Sequence, residues 1–407
     1  MSRCFPLRTD EETHDGQVAD LSSEMAYFRS CLGTEHTVEW LRKEKAAGRN
    51  VIGVMSAAAP VEIVLAAGAV PVRLVGFVEG WTSSRRDLPR DICPVAASCF
   101  TGARILAKAG LLDAVVVPGT CDWKRKLAEL LHDTVHVVTL EPAASLSPTF
   151  VEADLRRLAR ELALITDVPV VRRNLMCALE NMARASSALG ALQRIRLRDG
   201  CTFLGADALV VEQSLLRDDL SRWTNHCASL VQCLTESFPV GEESLDGVAP
   251  RVLLVGSPLV SKGTNVVHLV EKAGGRIVAE DFDCRLGPFY PVRTAVRPSA
   301  GGFGALATRW ARSCFCSVVG DEDEEFVFRA VDESGVEGLV FHASRSCAQI
   351  QTKIPAFLRR ASARDVPILI IETAEDEHET ERLLVRIEPF IEMLLQRRTE
   401  RGACSWS

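Results

Sequence analysis

Two kinds of apolar pattern alternate along this chain. Short, nearly unbroken apolar runs occur at residues 51–56 (VIGVMS), 69–76 (AVPVRLVG), 113–119 (DAVVVPG) and 135–140 (VHVVTL). They recur at 251–259 (RVLLVGSPL), 276–281 (RIVAED), 338–344 (GLVFHAS) and 366–373 (VPILIIET). Runs of this length suit strands buried on both faces, as in parallel sheets. Stretches of helical period lie between them. In residues 57–68 (AAAPVEIVLAAG), Pro60 fits the first helical position and Gly68 the stop. Strand, helix and strand in that order open a doubly wound unit.

The pattern changes between residues 148 and 237. Residues 153–166, 174–197 and 209–238 read as three long amphipathic helices. Residues 236–250 (ESFPVGEESLDGVAP) are acidic and rich in turn formers, which marks a boundary. The expected fold class is α/β: two doubly wound parallel-sheet (Rossmann-like) domains with a helical connector. The expected divisions are an N-terminal helical arm at 1–40, a first α/β domain at 41–147, a connector or cap at 148–245 and a second α/β domain at 246–407. At 407 residues the chain exceeds one ordinary core, in keeping with two domains.

Composition narrows the class. Hydrophobic residues make up 47% and charged residues 25%, values of a globular protein. The formal charge of -7 argues against nucleic-acid or lipid-surface binding. No apolar run has the length of a membrane span, and the first residues lack the apolar core of a secretory signal. The expected location is cytoplasmic. There are 14 cysteines but no C-x-x-C, which excludes a thioredoxin motif or zinc ribbon. A disulfide framework does not suit a large cytoplasmic α/β protein.

Three cysteines share a setting. Cys121 follows the strand DAVVVPG and opens an amphipathic helix; Cys93 precedes Pro94 and a helical run; Cys347 follows GLVFHAS and precedes a helix near Pro355. Unpaired N–H groups and the macrodipole at a helix start favour a thiolate. Thiolates are the ligands that iron–sulfur clusters need. On the residues alone, three unrelated buried thiols remain the alternative. Cys99, Cys314 and Cys316 are set apart from these three, as buried thiols or as groups behind any ligands. Asp122 is expected to cap its helix or bond nearby, and Trp123 to pack against the cysteine loop.

The stretch VIGVMSAAAPVEIVLAAGAVPVRLVG resembles the opening of the 2-hydroxyacyl-CoA dehydratase D-component family. DICPVAASC, VVVPGTCDWKRKLAEL and GLVFHASRSCAQIQTKIPAFLRRASARDVPILIIET are similar to that family's three cluster-cysteine segments. The likeness covers about residues 40–395. It implies a 4Fe-4S cluster held by Cys93, Cys121 and Cys347, with one iron left open. It further implies removal of water from an (R)-2-hydroxyacyl-CoA through a ketyl radical. An ATP-dependent activator protein would inject the electron. Glu62 would then handle a substrate proton, Ser56 would bond the substrate, and Arg73 stands at the family's Pro-x-Arg position. Each also has a plain structural reading: an acid in a first helical turn, a cap, and a salt bridge. Gln349, Gln351, Lys353 and the Ser-Ser-Arg-Arg run at 83–86 are candidates for CoA or activator contacts, against a default of solvated surface.

The same pattern serves benzoyl-CoA-type reductase subunits, double-cubane cluster proteins and electron-relay partner subunits, so these stay open. A homologous second subunit or a second copy of the chain is the expected dimer partner.

Overall fold

The structure, a computed structural model, describes residues 20–55, 59–77, 85–89, 91–141, 147–198, 200–238, 249–260, 266–281, 302–311, 322–373 and 380–404. Two parallel four-stranded sheets organise these residues. The first comprises β1 (Val51–Val54), β2 (Val70–Arg73), β3 (Ala114–Pro118) and β4 (His136–Leu140), in the order β2-β1-β3-β4. The second comprises β5 (Arg251–Gly256), β6 (Arg276–Asp281), β7 (Gly338–Ser344) and β8 (Ile368–Thr373), in the order β6-β5-β7-β8. The orders are equivalent, so one doubly wound plan occurs twice, as the apolar runs predict.

Successive side chains of these strands bury on opposite faces. Ile52, Val54, Ala114 and Val116 face one core of the first sheet, while Val51, Val72, Val115 and Val117 face another. In the second sheet Val252, Leu254 and Val340 oppose Leu253, Val255 and Phe341 in the same way. This two-sided burial is why the strands read as continuous apolar runs. The strand order reverses between β1 and β3 in one sheet and between β5 and β7 in the other. Ligand crevices of open α/β sheets form at such reversals, outside the carboxyl ends of the strands.

Helices α1 (Leu21–Cys31) and α2 (Thr34–Ala46) precede β1, and α3 (Val61–Ala66) joins β1 to β2. Helix α4 (Pro94–Lys108) precedes β3, and α5 (Asp122–Leu131) follows it. Four connector helices follow β4: α6 (Pro148–Thr166), α7 (Arg172–Arg196), α8 (Gly205–Ser214) and α9 (Leu220–Ser237). The sequence pattern suggests one helix over 209–238, but the chain breaks between α8 and α9. Leu216 takes a left-handed φ of 66°, and the Asp219 side chain caps α9 by accepting the N–H of Ser221 and Arg222. Apolar period continues through the break because its leucines are buried, and so the turn is invisible to periodicity.

Helices α10 (Val266–Lys272), α11 (Phe303–Ala311), α12 (Glu322–Ser334), α13 (Ala348–Ala363) and α14 (Thr380–Cys404) accompany the second sheet. Helix α13 starts directly after Cys347, in keeping with a cysteine at a helix start, and carries Pro355 inside it.

The connector is tied to the second sheet by buried charge. Arg196 Nη1 of α7 lies 2.8 Å from Glu280 Oε1 of β6, with both side chains almost fully buried. Arg196 Nη2 also donates to the Ile277 carbonyl at 2.9 Å. Glu271 of α10 accepts the Gly205 and Ala206 N–H groups at 2.5 and 3.2 Å, where α8 begins. A carboxylate at a helix N-terminus satisfies donors that have no partner within the helix. No helix among the described residues is long and apolar enough to cross a membrane.

Candidate functional site

Cys93, Cys121 and Cys347 are the N-cap residues of α4, α5 and α13. Each helix starts where it does for a local reason. Pro94 fills the first position of α4, where its missing N–H costs nothing. Before α5, the buried strand β3 ends in a tight turn: Gly119 N–H donates to the Leu140 carbonyl at 2.7 Å, and Thr120 N–H to the Pro118 carbonyl at 2.8 Å. Before α13, Cys347 N–H donates to the Ser344 carbonyl at 3.0 Å, turning the chain off β7.

The thiols of Cys93 and Cys347 are joined by a side-chain hydrogen bond, and both are half-buried. The bond divides the pair. The Cys93 thiol as donor pulls Cys347 down to about 6; burial opposes this, while the Ile350 N–H, the Ser257 hydroxyl and the Lys124 charge assist. Cys93 is pushed well up, first by that same bond and then by burial. It makes no side-chain capping bond, yet the N–H groups of Val95 and Ala96 lie close enough to favour its anion. The two thiols are therefore shifted in opposite directions, and Cys347 is the more readily ionised.

Lys124 connects this pair to the third cysteine. It stands in the first turn of α5, just after Cys121, and is 7% exposed. Its Nζ donates to Thr120 Oγ1 at 2.8 Å, and its charge acts on the Cys347 thiol. The start of α5 thus lies beside the Cys93–Cys347 pair. Val260, in the segment after β5, packs against the same core as Cys93 and Trp123. The carboxyl ends of the two sheets meet here.

Ser257 is held from three sides. Its Oγ accepts the Ser344 N–H at 2.9 Å, and its hydroxyl bonds Cys347. Its carbonyl lies 2.8 Å from His342 Nδ1, and His342 Nε2 lies 2.9 Å from Thr373 Oγ1. Burial pushes His342 down to about 4, so the imidazole is neutral. A carbonyl only accepts, so Nδ1 carries the proton and Nε2 accepts from the threonine. Gly256, with φ of 125°, permits this crossing: a Cβ there would lie 1.9 Å from the His342 carbonyl oxygen.

The other residues singled out in the sequence fall variously. Glu62 lies in the first turn of α3 with 1% exposure, and Arg73 is buried and donates to the Glu212 carbonyl at 3.4 Å. Asp122 does not cap α5, because Cys121 occupies the cap; its carboxylate is exposed, 3.7 Å from Arg125. Trp123 packs on the core and takes Lys126 Nζ over its ring at 4.8 Å. Cys99 is fully buried, with its sulfur 3.9 Å from the Met55 carbonyl. Gln351 Nε2 donates to the Ser344 carbonyl at 3.4 Å, Lys353 is half-buried and Arg86 is exposed. Ser56, Ser83, Ser84, Cys314 and Cys316 lie outside the described residues. Lys124, Ser257 and His342 carry no motif; the one available signal is that Ser257 follows β5 as Ser56 follows β1.

Known proteins resemble the chain in sequence over most of its length. Over 361 residues the chain is 26% identical to a protein named as a dehydratase subunit, YjiM, of Escherichia coli (strain K12), covering 86% of this chain and 93% of that one. It is 18% identical over 364 residues to the (R)-phenyllactyl-CoA dehydratase beta subunit of Clostridium sporogenes, covering 87% and 94%. The sequence model of the 2-hydroxyglutaryl-CoA dehydratase D-component family matches residues 56–394, which include both sheets almost entire and all three helix-capping cysteines. The chain belongs to the 2-hydroxyglutaryl-CoA dehydratase D-component family.

Proposed function

We propose that this chain is the cluster-bearing subunit of a 2-hydroxyacyl-CoA dehydratase, with Cys93, Cys121 and Cys347 as the ligands of a 4Fe-4S cluster. The observation that carries the reading is the contact between Cys93 and Cys347, thiols from different sheets that touch although 254 positions separate them. The donor set fits the group. The Cys347 thiol already leans toward its anion, and three helix N-termini with the Lys124 ammonium offset the charge of thiolates. The Gln349 side-chain oxygen, two residues past Cys347, is buried and has no hydrogen-bond partner among the described residues, which suits a crevice built around something more.

A bound cluster would supply a low-potential electron and Lewis acidity toward the thioester carbonyl. The chain's own residues do the rest. Ser257, fixed by Ser344 and His342, orients the Cys347 sulfur. Lys124 holds positive charge beside the thiolates. Glu62, buried at the carboxyl side of β1, takes or returns a substrate proton, and Ser56 bonds the acyl group. The sheet crevice excludes water from the acyl-CoA.

The partners that follow from this reading are an acyl-CoA, an ATP-dependent activator protein, and a homologous subunit or second copy completing a dimer. The name of the Clostridium sporogenes relative, a beta subunit, favours a paired assembly. The free cysteines suit a reducing cytoplasm.

Anaerobic purification followed by iron and sulfide analysis tests the proposal. We expect about four irons per chain, and loss of them in Cys121→Ala with the fold retained. Unchanged iron in that variant would remove the ligand assignment. About eight irons would point to the double-cubane reductase instead. Product analysis with a 2-hydroxyacyl-CoA, activator and ATP separates dehydration from reduction or from mere electron relay.

A further inference from the structure

A second group of donor atoms lies away from the three capping cysteines, between the N-terminal helices and the loop that breaks the connector. Cys31 ends α1, His36 stands in the first turn of α2, and Asp218 lies in the loop before α9. Cys31 Sγ is 3.7 Å from His36 Nε2, and His36 Nε2 is 3.4 Å from Asp218 Oδ2. All three donor atoms lie within 4.8 Å of one another. Tyr27 adds a fourth: its hydroxyl donates to Asp218 Oδ2 at 3.0 Å and also hydrogen-bonds the Cys31 thiol. Cys31 and Asp218 are fully buried, and the His36 side chain is 27% exposed at the rim.

The donor spacing also suits a metal ion. In a purely hydrogen-bonded cluster, a histidine facing a carboxylate should sit at about 2.7–2.9 Å. At 3.4 Å the His36–Asp218 contact is a longer hydrogen bond, which works against burial and helps hold the Asp218 carboxyl down. A tetrahedral ion has bonds of about 2.3 Å to sulfur and about 2.0–2.1 Å to nitrogen or oxygen. The corresponding sulfur–nitrogen edge is about 3.5 Å and the nitrogen–oxygen edge about 3.4 Å. The two edges at His36 Nε2, 3.7 and 3.4 Å, match these values, and the three donor atoms stay within 4.8 Å of one another.

The surroundings hold the donors in place. Arg222 Nη1 lies 3.1 Å from both oxygens of Asp218 on the solvent side and orients the carboxylate. Its charge opposes a cation, and the two anionic ligands must outweigh it. Arg217 donates to the Leu32 carbonyl at 3.2 Å and packs on the Phe77 ring at 3.8 Å, anchoring the loop to α1 and to the segment after β2. The left-handed Leu216 gives the loop its turn, and a strained backbone is kept where the surroundings over-determine it.

We propose that Cys31, His36 and Asp218, with Tyr27 Oη or a water as fourth ligand, bind one zinc-like divalent cation that fastens the N-terminal helices to the connector. A sulfur, a nitrogen and a carboxylate oxygen grouped within 4.8 Å select Zn²⁺ over magnesium or calcium. Cys31 gives its proton to solvent as the metal–thiolate bond forms, leaving two anionic ligands against a doubly charged ion. The site shares no residue with the cluster reading and stands without it.

Zinc dialysis of the anaerobically purified chain, followed by elemental analysis and X-ray absorption at the zinc edge, tests this. That edge is blind to iron. We expect one zinc per chain with a single sulfur neighbour at about 2.3 Å and lighter neighbours near about 2.0 Å. Cys31→Ser should remove the sulfur signal. His36→Gln, at a partly exposed position that folding tolerates, should weaken zinc affinity at least tenfold. A Cys93→Ser/Cys121→Ser/Cys347→Ser chain should keep the site. The proposal is overturned if the wild-type chain retains no zinc. It is equally overturned if zinc persists unchanged in Cys31→Ser and His36→Gln but is lost from the triple variant.

Discussion

Cys93 and Cys347 hydrogen-bond through their side chains, and that contact links the carboxyl side of the first sheet to that of the second. It requires α4 and α13 to point their first turns at one another. It also shifts the two sulfurs in opposite directions, Cys93 up and Cys347 down.

Cysteine identity should therefore sort by place in the fold. Cys347→Ala and Cys93→Ala are expected to lose iron while their far-UV circular dichroism is unchanged. Cys99→Ala should keep its iron and lose only about 1 kcal/mol of stability, the cost of a small void in a packed core. Iron assays paired with urea unfolding separate the two classes.

Glu62→Gln tests the proton-handling role. The carboxyl is buried in the first turn of α3, and the amide preserves its shape. Dehydration should slow by about 10²–10⁴-fold, the usual range for a lost general acid or base. Iron content should stay at the wild-type value, and a fully active variant would discard the role.

His342 sets a pH dependence. Burial holds it near 4 in the fold, below the ordinary value near 6.5 that it regains on unfolding. Between those limits the unfolded chain binds the extra proton, so stability rises with pH. The chain should lose a few kcal/mol as pH falls from about 6.5 to about 4, from this group alone. In His342→Gln, urea midpoints measured across that range should fall less steeply than in the wild type.

The buried Arg196–Glu280 pair predicts a non-additive double mutant. Arg196→Met strands the glutamate in a site where burial already raises its affinity for a proton. That single change should cost about 3–5 kcal/mol. Arg196→Met with Glu280→Leu should recover much of the loss, because neither charge is left behind. Equal losses in the single and double variants would show that the ion pair does not govern docking of α7 on β6.

Much of this protein is written locally. Each strand is buried on both faces, so its apolar run is legible without knowing its neighbours; Val51–Val54, Ala114–Pro118 and Gly338–Ser344 stand out for that reason. The cysteines at helix starts are legible too, since strand ends and capping positions are local. What the tertiary structure alone decided is which groups meet. The Cys93–Cys347 contact, Lys124 beside it and Ser257 behind it arise from strand orders that place distant loops at one edge, and no spacing encodes that. The break at Leu216 stayed hidden because buried leucines continue the helical period through it, and its consequence, Asp218 brought to Cys31 and His36, depends on packing between segments nearly two hundred residues apart. Hydrophobic periodicity reports burial, and it carries no record of which buried surfaces face each other.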